Sequence, residues 1–444
     1  MAQWTEEQVV SLSPNEGTTR RGRPLANSSK WEVLATDYQA IWGLCKGSGK
    51  NPYKAQVNLQ TTTFACSCPV RALPCKHLMG LMLLYAKGSG NFKHLPPPDW
   101  IKIPKAAVAV AENTTAAPSI EDLQKAAAAK AKRWEKRLEL MESGLSELQL
   151  WLEDVIRQGV ANMPMQQADF WYSIAAKMVD AKLPRLSSFL KETHQMILQS
   201  EDWLEPAVAR LGELQLWITT FEQREQLPPV LQEELYSALG KTTKKADILA
   251  THPKVKGTWL VLTVVNQLDV EGRDYRKVWL QNLETGKFAL ILDYSFGGMG
   301  YEQQYFSGTV IKAALVYYSS NFAQRAICES YEIVDIDNLP AVGITANFEA
   351  LLEAYANALN ISPWLVNLPV LLTDIVPHYY KEKDQIQLVD ATQNSLPIRL
   401  LDDTAQWKLL AVSGGNPLTV FGEWDGTAFV PLSVIDAQEG VVLL

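Results

Sequence analysis

The 444-residue sequence contains no apolar run of eighteen or more residues, so no segment is long enough to cross a membrane as a helix. The start, MAQWTEEQVVSLSPNEG, is acidic and lacks an apolar stretch, so we expect no secretory leader. Five cysteines cannot form an even-numbered disulfide framework. We therefore expect a cytoplasmic, reduced protein with no membrane partner.

Recognisable catalytic signatures are also missing. The sequence has no H-E-x-x-H, no G-x-S-x-G, no G-x-G-x-x-G after a strand, and no kinase or deaminase signature. Gly49-Lys50 is not a phosphate-binding loop, because Leu44 stands five residues before Gly49 and Asn51 follows Lys50. Four histidines stand alone: His94, His194, His252 and His378. We expect that the protein is not an enzyme.

A cluster of metal-ligand residues stands out against this background. Cys66, Cys68, Cys75 and His77 lie within the stretch FACSCPVRALPCKHLMGLMLLY. Three thiolates and one imidazole are a complete ligand set for a tetrahedral structural zinc site. If Cys66 and Cys68 lie on a strand, both sulfurs project from the same face. The alternative is three buried free cysteines, but a core has no need of the paired C-x-C and C-x-H spacing.

The flanking residues predict a strand, a loop and a helix around these ligands. Ala55 to Leu59 alternates with period two, as strands do. Leu78, Leu81, Met82 and Tyr85 follow helical spacing, and Gly88 is a plausible stop. Four ligands would leave no coordination position for water, which indicates a structural ion.

C-x-C followed by six residues and C-x-H resembles the SWIM zinc finger, a ββα module with the pattern C-x-C-x(n)-C-x-H. The preceding segment, WGLCKGSG and then Pro52-Tyr53, is similar to that of bacterial SWIM proteins. The resemblance covers residues 30–90. It implies one structural Zn²⁺ per chain, held by Cys66, Cys68, Cys75 and His77. Cys45 lies outside the pattern, and we interpret it as a buried or turn-associated thiol.

The resemblance also implies protein partners. Bacterial SWIM proteins are associated with MoxR-type AAA+ ATPases and von Willebrand A-domain proteins, so we expect a non-catalytic adaptor. The alternative is a DNA-binding protein. Residues 1–100 carry eleven Lys/Arg against six Asp/Glu, whereas the remaining residues carry thirty against forty-three. A basic module on an acidic body is compatible with nucleic-acid contact, or simply with a solvated surface.

The whole chain is expected to be an α+β multidomain protein, with a ββα finger, a central helical bundle and an antiparallel β-rich α+β region. The expected segments are a flexible N-terminal segment at 1–29, the finger at 30–90, a linker at 91–118, a helical domain at 119–240, a β-rich domain at 245–340 and an α+β domain at 341–444.

Two further patterns concern the domain interiors. The pentad ELQLW occurs at Glu147 and at Glu213, either as a duplicated helical hairpin or as a chance match. The tryptophans of the helical domain are expected to fill its core and its grooves, and not to bind a cofactor. In the C-terminal domain we expect a helix over 348–359 and strands over 407–412, 418–423 and 428–434.

Overall fold

The computed structural model describes residues 4–37, 39–47, 51–59, 62–70, 73–101, 120–199, 201–269, 272–295, 301, 303–335, 347–380, 385–402, 404–436 and 440–444. The chain forms two compact units. Unit 1 comprises residues 1–108, 245–318 and 322–444, and unit 2 comprises residues 109–244 with 319–321. The expected α+β multidomain class is confirmed. Most of the expected linker, residues 102–118, lies outside the described residues.

The N-terminal module of unit 1 is a five-stranded sheet with three helices. Its elements are α1 (Glu6–Ser11), α2 (Glu16–Gly22), β1 (Trp31–Thr36), β2 (Ala40–Cys45), β3 (Tyr53–Asn58), β4 (Phe64–Cys66), α3 (Lys76–Ala86) and β5 (Lys93–His94). The strand order is β4-β3-β2-β1-β5. All neighbouring strands are antiparallel except β1 and β5. The short strand β4 therefore lies at one edge of the sheet.

Helix α3 is the centre of this module. Every residue from His77 to Tyr85 is buried, because the sheet and the helices α1 and α2 all contribute to the same core. The approach between α3 and the segment after α2 is very close. A Cβ at Gly80 would lie 2.5 Å from the Cβ of Leu25. Glycine is therefore required where these two segments cross.

Residues 1–29 differ from the expected flexible segment. Residues 6–11 and 16–22 are helical, and Trp4, Val9 and Leu12 are buried in the core that surrounds α3. The sequence signal for the first helix is a local one. Thr5 and Gln8 form a capping box, with each side chain bonded to the other residue's backbone N–H.

Unit 2 is helical and was expected to be so. Its helices are α4 (Ile120–Gln158), α5 (Ala168–Asp180), α6 (Pro184–Gln199), α7 (Leu204–Glu222) and α8 (Pro229–Ala238). The two helical stretches expected before residue 158 form a single 39-residue helix, α4, about 58 Å long at 1.5 Å per residue.

The tryptophans of this unit are buried to different depths. Trp171 is fully buried, whereas Trp134, Trp151, Trp203 and Trp217 are half-buried. The large indole ring often keeps one edge at the surface even when most of it is packed.

The second sheet of unit 1 closes into a barrel. It follows α9 (Lys245–Thr251) and comprises β6 (Lys254–Leu268), β7 (Asp274–Asn282), β8 (Phe288–Tyr294), β9 (Val310–Tyr317) and β10 (Ala326–Val334), in the order β10-β9-β6-β7-β8. Residues Leu290 and Arg325 form a parallel bridge between β8 and β10, and the Leu290 N–H donates to the Gln324 carbonyl at 2.7 Å. All five strands contribute to one interior cluster. We call this unit barrel 1.

The third sheet has the same strand connections and pairing as the second. After α10 (Phe348–Ile361) come β11 (Leu368–Tyr380), β12 (Gln385–Val389), β13 (Ser395–Pro397), α11 (Ala405–Ser413), β14 (Leu418–Trp424), β15 (Phe429–Asp436) and β16 (Gly440–Leu443). Strand β11 pairs with β12 and with β14, just as β6 pairs with β7 and with β9. A parallel bridge between Ile398 and Phe429 closes the ring. We call this unit barrel 2.

In both barrels the long first strand pairs with the second and the fourth strands, and a parallel bridge joins the region of the third strand to that of the fifth. This topology resembles the OB-fold, a five-stranded Greek-key barrel. The strand expected over 407–412 was wrong: these residues belong to α11, whose Leu409 is buried in the barrel 2 core. Asp402 accepts bonds from the N–H groups of Thr404 and Ala405, an N-terminal helix signal that the apolar run obscured.

The two barrels pack face to face through one apolar cluster. Leu262 and Trp279 of barrel 1 meet Phe421 and Leu432 of barrel 2. Glu423, on β14, lies at this contact with its side chain 6% exposed. Its carboxylate accepts from Lys277 Nζ at 2.9 and 3.1 Å, from Trp279 Nε1 at 2.7 Å and from Asn367 Nδ2 at 2.6 Å.

We expect Glu423→Gln to lower the free energy of unfolding by about 2–4 kcal/mol, because the partly buried Lys277 ammonium loses its counter-charge. Urea unfolding followed by tryptophan fluorescence measures this. Glu353→Gln, at an exposed position of α10, is the matched control and should stay within about 0.5 kcal/mol. Equal midpoints for the two variants would show that Glu423 does not hold the barrels together.

Candidate metal centre

The four predicted ligands come from two short segments of the N-terminal module. Cys66 is the last residue of β4, Cys75 is the N-cap of α3, and His77 lies in the first turn of that helix. Cys68 does not lie on a strand as expected, because β4 ends at Cys66. The next residue, Ser67, still bonds to Lys54 through both its N–H and its side chain, which carries Cys68 back towards the helix.

The four side chains are close enough to share one ion. Their donor atoms, three sulfurs and one ring nitrogen, all lie within 4.8 Å of one another. The Sγ atoms of Cys66 and Cys75 are each 3.8 Å from Nδ1 of His77. A tetrahedral zinc with Zn–S of about 2.3 Å and Zn–N of about 2.1 Å sets S···N separations of about 3.6 Å. The arrangement therefore fits a zinc-sized ion.

The pKa values of the three thiols are shifted in different directions. The pKa of the Cys75 thiol is lowered, chiefly by a hydrogen bond from Cys66 and further by His77 and the Leu78 N–H. The pKa of Cys66 is raised by the same bond to Cys75 and by burial. Burial also raises the pKa of Cys68. A cation between the sulfurs would reverse this competition, because metal-bound thiols lose their protons.

The site is enclosed by the module's core. Cys68, Cys75 and His77 are buried, while Cys66 is half-buried. The Tyr53 ring lies over the imidazole with centroids 4.5 Å apart. Cys45 is fully buried in the same core, but it is not one of the four clustered donors. Three soft thiolates and one imidazole are typical of zinc.

The comparison with protein families adds an independent observation. The family model of the SWIM-associated four-helix bundle domain matches residues 136–239. This range covers α5 to α8 and the C-terminal part of α4. This match supports assignment of the chain to the SWIM zinc finger family. The family was recognised from the cysteine–histidine spacing, and the match lies in a different part of the chain. The bacterial origin stays a prediction.

No curated protein and no solved structure matches the chain significantly. Within the part of the chain that the structure describes, no helix combines the length and the apolar character needed to cross a membrane.

The metal-binding segment also contacts barrel 1, which the sequence did not indicate. Thr62 precedes β4, is fully buried, and donates through Oγ1 to the Gln304 carbonyl at 2.8 Å. Its hydroxyl also lies 2.6 Å from the Tyr331 hydroxyl, at a residue of β10. Phe306 of barrel 1 is buried in the core around α3, with its ring 4.9 Å from that of Trp4.

A buried arginine extends this contact into barrel 1. Arg276 is 2% exposed and donates to Asp293 at 2.6 Å, to the Gln303 carbonyl at 2.7 Å and to the Gln304 side chain at 3.3 Å. Its guanidinium lies 4.0 Å from the centre of the Tyr301 ring. These bonds order the segment that receives Thr62. Residues 242 positions apart in the sequence meet here, and no local pattern could have paired them.

We expect Cys75→Ser to reduce the zinc content from about one ion per chain to near zero, since three remaining donors no longer close the tetrahedron. Mass spectrometry of metal in the purified protein measures this. Cys45→Ala is the matched control, because it removes a buried thiol of the same core and should leave the zinc content unchanged. Loss of zinc from Cys45→Ala instead would change the ligand assignment.

We expect Thr62→Val to keep its zinc but to loosen the contact with barrel 1. Loss of the hydroxyl's hydrogen bond costs about 1 kcal/mol, so hydrogen exchange of residues 303–309 should become about fivefold faster. Thr62→Ser keeps the hydroxyl and should exchange as the parent does. Unchanged exchange in Thr62→Val would mean that apolar contacts alone hold the two parts together.

Proposed function

We propose that this protein is a non-catalytic adaptor whose N-terminal module is a SWIM-type ββα finger built on one structural zinc ion. Strands β3 and β4 and helix α3 supply the ββα unit, and Cys66, Cys68, Cys75 and His77 are its ligands. The observation that carries this proposal is the closed set of four donors inside a hydrophobic core. Four protein ligands leave no position for a reacting water.

The connection to barrel 1 supports a structural role for the ion. The ligand Cys66 and the docking residue Thr62 stand four positions apart, on either side of the start of β4. Metal binding that orders Cys66 therefore also orders Thr62. Structural zinc sites supply about 10–16 kcal/mol in isolated fingers, which is as large as the stability of a whole domain.

The adaptor role itself rests on the family likeness. A MoxR-type AAA+ ATPase and a von Willebrand A-domain protein are the proposed partners, as the resemblance implies. Such partners have a large surface to bind, because the chain contains the helical unit and two barrels besides the small N-terminal module.

DNA binding is the second candidate, favoured by the surplus of Lys and Arg in the first hundred residues. Three observations weigh against it. Helix α3 is buried from His77 to Tyr85 and cannot enter a groove. Arg23 is paired with Glu6 at 2.7 Å. OB-type barrels bind nucleic acid on the face of their second and third strands, and in barrel 1 Trp279 and Phe288 of that face pack against Phe421 of barrel 2.

One pair of titrations separates these functions. We expect the zinc-loaded protein to bind a purified MoxR-type ATPase, and to show no micromolar binding to duplex or single-stranded DNA at low salt. Cys75→Ser should lose the ATPase binding, and Cys45→Ala should keep it. Micromolar DNA binding that falls steeply with salt would favour the DNA-binding function. Absence of binding to the ATPase, with zinc present, would contradict the adaptor proposal.

A further inference from the structure

Helix α7 of the helical unit carries an exposed apolar stripe. Leu204, Val208 and Leu216 are 43%, 50% and 68% exposed. They follow each other at multiples of four residues, with Gly212 between them, and so form a stripe that turns by about 120° around the helix from Leu204 to Leu216. A Cβ at Gly212 would meet nothing within 4 Å. We call Leu204, Val208 and Leu216 the α7 stripe.

The rest of α7 shows that this stripe is not part of the bundle core. The helix has a separate buried side, which lies opposite Leu216 and adjoins Leu204; it comprises Ala207, Leu211, Leu214, Ile218 and Phe221. A helix in a bundle needs one apolar face for its own core. The α7 stripe is a second apolar face, and such a face on a surface helix marks a contact with another helix.

The edges of the α7 stripe are acidic. Glu201 and Glu205 are exposed at its N-terminal end. Glu222, also exposed, stands five helical turns after Leu204 and thus on the same side. The basic residue of α7, Arg210, faces α6, with its guanidinium 3.4 Å from the centre of the Phe189 ring. The stripe therefore suits a helix that combines small or apolar residues with positive charge.

The chain itself contains such a helix. Residues 125–136, the N-terminal part of α4, read KAAAAKAKRWEK and hold five basic residues against one acidic residue. We call residues 125–136 the basic arm. Lys132, Arg133 and Lys136 are exposed, as are the described alanines. The family match to the bundle domain begins only at residue 136, so the arm is an addition to that domain.

The arm cannot reach the α7 stripe of its own chain. Trp134 is fixed at the end of the bundle, with its ring 4.9 Å from that of Tyr236 and 4.4 Å from Lys241 Nζ. From there towards Lys125 the helix is continuous and leads away from the bundle by about 1.5 Å per residue. Only a kink in α4 could turn it back, and the described part of the arm contains neither proline nor glycine.

We propose that the basic arm of one copy binds the α7 stripe of a second copy, and that a two-fold axis makes this contact reciprocal. Each chain then gives one arm and receives one, which closes the assembly at a dimer. The alanines of the arm allow close approach to the stripe, and Lys132, Arg133 and Lys136 face the acidic edge. The contact involves none of the candidate metal ligands and does not depend on the proposed adaptor function.

Sedimentation velocity of the full zinc-loaded chain over a wide concentration range tests this. We expect a monomer–dimer equilibrium that weakens with added salt, since the charges are exposed. Lys132→Glu with Arg133→Glu should weaken the dimer about tenfold. Glu201→Lys with Glu205→Lys should do the same, and the four changes together should restore it. Leu216→Ser should also weaken the dimer by removing the most exposed residue of the stripe.

Lys287→Glu with Lys312→Glu is the matched control, because it makes the same change in net charge at exposed positions of barrel 1. It should leave the equilibrium unchanged. A chain that stays monomeric at every concentration would overturn the proposal. A dimer that persists in both charge-reversed variants, or that the combined variant fails to restore, would also overturn it.

Discussion

The N-terminal module depends on one interaction: two chain segments brought together by Cys66 and Cys68 on one side and by Cys75 and His77 on the other. Strand β4 is three residues long, lies at a sheet edge and pairs only with β3 among the described strands. Such a strand has few hydrogen bonds of its own. A shared ion would hold it against the N-terminus of α3, where the helix dipole also favours thiolate charge.

The other elements of the module are held by packing around helix α3. Helix α3 is the common core for the sheet and for α1 and α2, which is why the N-terminal segment is helical although its composition suggested flexibility. The turn before β4 then meets barrel 1 through Thr62, while Phe306 of that barrel enters the module's core. The N-terminal module and barrel 1 thus contact each other through buried residues of both.

Features with short-range causes were predictable from the sequence, and features with long-range causes were not. The spacing of four ligands and the helical periodicity depend on neighbouring residues. The closure of both barrels depends on contacts such as that between Ile398 and Phe429. The apolar segment Trp407–Val412 was expected to be a strand, but it lies in α11, whose first residues bond to Asp402 and whose Leu409 is buried in the barrel 2 core.

The two barrels share their strand connections but differ in the segment between the third and fourth strands. Between its third and fourth strands barrel 2 has the helix α11, which places Leu409 in its own core. At the same place barrel 1 has the segment that includes Gln304 and Phe306, and this segment contacts the N-terminal module. The connection between the third and fourth strands therefore packs into its own barrel in barrel 2 and contacts another module in barrel 1. Transplanting the barrel 1 connection into barrel 2 would transfer the residues that contact the N-terminal module.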